Sequence, residues 1–87
     1  MIRLCIPKIE NHINENFIHQ VFKKLDVGNI NNINIIRSQK GTKKAFINLI
    51  EWNKTEKAGY LQHRLKTNSS VNIIYIRPWF WKVKLAH

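Results

Sequence analysis

Within 87 residues the apolar positions switch repeatedly between the two-residue period of a strand and the 3.6-residue period of a helix. Ile2, Leu4 and Ile6 alternate with Arg3 and Cys5, which predicts a strand over residues 2–6. Pro7 has no amide proton and is expected to end its pairing. A polar stretch then offers Asn14 as a cap, and Ile18, Val21, Phe22 and Leu25 at helical spacing predict a helix over 15–25. Gly28, just beyond, suits a turn with positive φ. Ile33 and Ile35 predict a second strand over 30–37, with an irregularity at Asn31-Asn32. The polar residues 38–43, with Gly41, form a hairpin loop into a third strand over 44–52. There Ala45, Ile47 and Leu49 face one side, and Lys44, Phe46 and Asn48 the other. Residues 53–56 have capping-box spacing, and Ala58, Leu61 and Leu65 make the stripe of a second helix that tolerates Gly59. A turn at 68–70 leads to a fourth run over 71–76, broken by Arg77-Pro78 before an aromatic tail over 79–85.

This length limits the chain to a single domain, residues 1–87, with a modest core and little stability to spare. Its lone Cys5 makes neither an internal disulfide nor a thiolate metal cluster, which fits a reducing compartment. No apolar run approaches the length that crosses a bilayer, and the N-terminus lacks a secretory pattern, so an intracellular protein away from membranes is expected. Asn, Ile and Lys fill 36 of the 87 positions, a composition encoded by A+T-rich codons such as those of some large DNA viruses.

Catalysis is not expected. The five carboxylates are dispersed, the four histidines lack metal spacing, and the three glycines are too far apart for a phosphate loop. No metal and no cofactor is therefore assigned. What stands out is 15 Lys and Arg against 5 Asp and Glu, a formal charge of +10, which suits a polyanionic partner.

The order strand, helix, strand, strand, helix, strand, closed by right-handed crossovers, predicts an α+β fold of ferredoxin-like βαββαβ type. Its four-stranded antiparallel sheet would carry two helices on one face and leave the other open. In this arrangement Leu4-Cys5-Ile6-Pro7-Lys8-Ile9 is similar to the first-strand signature of the RNA recognition motif family, and Thr42-Lys43-Lys44-Ala45-Phe46-Ile47-Asn48-Leu49 to its third-strand signature. Ile18, Phe22, Leu25, Gly28, Ile30 and Ile33 match that family's first helix and second strand. The chain departs from it where Cys5 and Lys44 replace usual aromatics, leaving Phe46 as the standard stacking platform.

The resemblance implies binding of single-stranded RNA or DNA, with RNA preferred, through the open sheet and the basic loop between strands two and three. Phe46 would stack a base, while Asn34 and Asn48 would bond base edges or sugar hydroxyls. Arg3, Lys8, Arg37, Lys40, Lys43, Lys44 and Lys82 would meet phosphates, and Cys5 would lie on the same surface. Tyr75, Trp79, Phe80 and Trp81 sit where the family often extends its surface and would compensate for the missing aromatics. A different class of reading is a protein–protein or homodimerisation module using the Trp-rich C-terminus. In a variant of the fold, residues 71–76 start a terminal hairpin whose second arm, 81–85, is an edge strand; Trp81, Val83 and Leu85 then belong mostly to the core.

Overall fold

The structure is a computed structural model that describes residues 2–86. It is α+β, with two helices and a five-stranded antiparallel sheet, one strand more than expected. In chain order the elements are β1 (Ile2–Ile9), α1 (Glu15–Leu25), β2 (Gly28–Arg37), β3 (Lys43–Trp52), α2 (Glu56–Asn68), β4 (Ser70–Ile76) and β5 (Trp79–Leu85). Across the sheet they run β2-β3-β1-β5-β4.

The additional strand comes from the aromatic tail. Arg77-Pro78, a cis peptide, turns the chain so that β5 folds back along β4, with Val71 opposite Val83 and Ile73 opposite Trp81. The variant hairpin is thus present, but with the edges exchanged: β5 lies inside, against β1 at Leu4–Leu85 and Cys5–Lys84, and β4 is the edge. Hydrophobicity explains the exchange. Trp81 and Val83 alternate with Lys82 and Lys84, so an inner position buries both of these apolar side chains and leaves both lysines on the other face.

Pro7 does not end β1. The strand continues to Ile9 through a register shift, Ile6 facing Ala45 and Ile9 facing Lys43, so an extra residue accommodates the missing N–H. The irregularity expected at Asn31-Asn32 is present as a bulge between Ile30 and Asn32. In α1, the Asn14 side chain accepts from Phe17 N at 2.8 Å, and the left-handed residue that closes the helix is Asp26, φ 53°, rather than Gly28. Gly28 is needed for a different reason: a Cβ there would lie 2.6 Å from the backbone oxygen of Glu51. Thr55, not Asn53, caps α2, accepting from Ala58 N at 3.1 Å. Asn53 instead donates to the Asp26 carbonyl and carboxylate, tying the start of α2 to the end of α1.

A single core lies between the helices and one face of the sheet. Ile18 and Phe22 of α1 and Ala58, Leu61 and Leu65 of α2 meet Leu4, Ile6, Ala45, Ile47, Leu49, Ile73, Trp81 and Val83. The opposite face carries no helix.

Candidate functional site

Strand alternation puts the complementary set of side chains on that helix-free face. From β2 come Asn32 and Asn34, from β3 Lys44, Phe46 and Asn48, from β1 Arg3 and Cys5, and from β5 Phe80, Lys82 and Lys84. The pairings set one row across it, Asn34–Phe46–Cys5–Lys84, because Asn34 and Cys5 both oppose Phe46 and Lys84 opposes Cys5.

At the middle of this face is a stacked pair. The Arg3 guanidinium carbon lies 4.1 Å from the centroid of the Phe46 ring, and Lys44 Nζ lies 5.6 Å from it. Both contacts fall within cation–π range, and at an exposed site each contributes about 0.5–1 kcal/mol. Phe46 is half-buried and absent from the core, as its alternation requires, but Arg3 covers one side of the ring. Cys5 is half-buried alongside. One register step from Phe46, Asn48 Nδ2 donates to Asn32 Oδ1 at 2.5 Å, leaving the Asn32 amide donors and the Asn48 carbonyl oxygen available.

The field of this surface is positive because acids lie elsewhere. Glu10 is in the β1–α1 connection, Glu15 and Glu56 start the helices, and Asp26 closes α1. Glu51, near the far end of β3, accepts from Asn29 Nδ2 at 3.2 Å. Both hairpins project from the end of the sheet at which β1 finishes, so Lys8, Lys40, Lys44 and Lys82 converge around it while remaining exposed. The β2–β3 hairpin holding Lys40 is ordered by Ser38 N bonded to the Thr42 carbonyl at 2.7 Å, by the Ser38–Thr42 hydroxyl bond at 2.7 Å, and by Gly41 at φ 83°.

Several expected contact residues are placed elsewhere. Lys43 points to the helix side, where its ammonium donates to the carbonyls of Asn11 and Ile13 at 2.8 and 2.9 Å and is thereby withdrawn from phosphates. Arg37, opposite Lys43, is exposed but shares that side of the strand. Trp81 is 1% exposed, and Tyr75 stacks on it at 4.3 Å with Phe17 edge-on to both, so these two aromatics build the core rather than the open face. Burial, then a hydrogen bond and the charge of Glu10, raise the Tyr75 phenol above its ordinary pKa. Trp79 and Phe80 remain on the surface at the tip of the β4–β5 hairpin, but only Phe80 belongs to the open face, since Trp79 shares the helix-side alternation of Trp81 and Val83. Asn32 and Lys84 were not singled out from the sequence; Phe80, Lys82 and Lys84 at two-residue spacing were the available signal.

Among the described residues no group of three or more His, Cys, Asp or Glu side chains is arranged to hold a metal, and no helix is long and apolar enough to cross a membrane. Comparisons with protein-family models, curated proteins and solved structures found no match.

Proposed function

We propose that this chain is an RNA recognition motif-like protein that binds single-stranded nucleic acid, RNA in preference to DNA, on its helix-free face. The observation that carries the reading is the Arg3–Phe46 stack at 4.1 Å, central on an exposed surface flanked by Lys44 and Lys84. A planar guanidinium supported from beneath by a ring presents its outer face to a base and its N–H groups to a phosphate. The Asn32–Asn48 pair beside it supplies donors and an acceptor for a base edge or a 2′-hydroxyl. Lys8, Lys40, Lys44, Lys82 and Lys84 attract the backbone, and Phe80 extends the stacking surface towards the second hairpin. The strand order supports the same reading: β2-β3-β1-β5 keeps the two segments similar to the family signatures adjacent, with β4 as an additional edge strand.

The test is the affinity for a mixed single-stranded RNA pool across a salt series. Phe46→Ala with Lys44→Ala is expected to weaken binding by at least tenfold, and unchanged binding removes this face from the mechanism. A second reading, self-association through the C-terminal hairpin, is favoured by the exposure of Ile74, Ile76, Trp79 and Phe80 around one turn. Sedimentation over a range of concentrations separates the two: a dimer that dissociates on Trp79→Ala, with no RNA binding, supports the second.

A further inference from the structure

The helices do not cover the whole helix side of β4. What remains uncovered is a groove of about 510 Å³ between α2, the end of α1 and the edge strand, floored by Leu25, Val27, Leu61, Val71 and Ile73. A second hollow of about 450 Å³ adjoins it along α1, and Leu25, Lys57 and Ile74 border both.

The bordering strand is an unusual edge. β4 reads Ser-Val-Asn-Ile-Ile-Tyr-Ile, without the charged residue or proline that commonly blunts an edge. Its register shift comes only after Ile74, and it pairs with β5 alone, so one side of its backbone is unpaired along Ser70–Ile74. Such an edge satisfies its N–H and C=O groups best with another extended backbone, whose alternate side chains then drop into the adjacent groove.

Charge identifies the chemistry of that backbone. Lys24 and Lys57 line the two hollows, where among the described residues Glu56 is the only acid in the lining and Glu10 is bonded to Tyr75 at the border of the second. A second copy would bring a further +10 to a surface already positive. We propose that β4 is a docking edge for an extended acidic segment of another protein, which adds as a sixth strand with apolar side chains in the groove and carboxylates against Lys24 and Lys57. This surface lies across the sheet from Arg3 and Phe46, so it is independent of the nucleic-acid reading.

The experiment titrates the full chain with a nine-residue peptide that carries isoleucine and glutamate together on one strand face and threonine on the other, and with its lysine-for-glutamate counterpart, followed by amide NMR shifts and hydrogen exchange. The expected result is saturable binding of the glutamate peptide, with shifts and new protection confined to β4 and the groove, and no binding of the lysine peptide. Lys24→Glu with Lys57→Glu, both exposed and neither part of the core, is expected to reverse the preference, and Phe46→Ala to leave it unchanged. Absence of binding, shifts centred on Phe46, or affinity indifferent to the double reversal overturns the proposal. Concentration-dependent protection of β4 without peptide also overturns it, in favour of a second copy.

Discussion

Trp81 is the largest fully buried side chain, yet its indole Nε1 has no hydrogen-bond partner. Its value to the fold therefore lies in area and in the Tyr75 and Phe17 ring contacts, offset by an unsatisfied donor that costs about 1–3 kcal/mol. Trp81→Ala is expected to lose about 3–5 kcal/mol, and Trp81→Phe much less, since it removes the orphaned N–H with only part of the ring. Urea unfolding of both variants measures the difference. At Gly28 the constraint is contact: Gly28→Ala drives a methyl to 2.6 Å from the Glu51 carbonyl oxygen and is expected to cost about 1–3 kcal/mol by the same measurement. None of this is visible in local sequence, where Trp81 looked equally suited to a ligand and Gly28 to a turn. Phe46 was legible because its alternation opposite Ala45 and Ile47 needs only the two-residue period, whereas the Arg3 cover depends on β1 lying beside β3.

Both helices close on a left-handed residue that is not glycine, Asp26 at φ 53° and Ser69 at φ 66°. The two positions respond differently to the same change. Ser69→Gly relieves a conformation costing roughly 1–2 kcal/mol, so it is expected to raise Tm by several degrees in a thermal melt. Asp26→Gly gains the same relief but loses the 2.7 Å bond from Asn53 Nδ2, and a smaller shift is expected. Element identity was readable here: both helix stripes and the first three strands occur where their periods place them, and α1 has the bounds expected. Ends were less so. Pro7 predicts a stop when considered alone, but an antiparallel partner that absorbs one extra residue lets β1 continue to Ile9.

For the molecule as a whole, the proposed reading predicts that a chain with 15 basic and 5 acidic residues binds a polyanion in a salt-dependent way. If Arg3, Lys8, Lys40, Lys44, Lys82 and Lys84 each neutralise one phosphate, the slope of log K on log salt for single-stranded RNA is about −4. Lys84→Ala is expected to reduce its magnitude by about 0.7, and Lys43→Ala to leave it unchanged while loosening the β1–α1 connection, because that ammonium is held by the Asn11 and Ile13 carbonyls. Fluorescence anisotropy at four salt concentrations distinguishes them. By itself the sequence determined an α+β chain with two amphipathic helices, the facing of β1 and β3, and a strong positive charge, since each depends on local period or on composition. Only the tertiary structure decided that the aromatic tail enters the sheet as β5, that β4 becomes the edge, and that Lys43, Tyr75 and Trp81 turn away from the open face. Those outcomes depend on which strand gains most by burial between two neighbours, a comparison among segments distant in the chain.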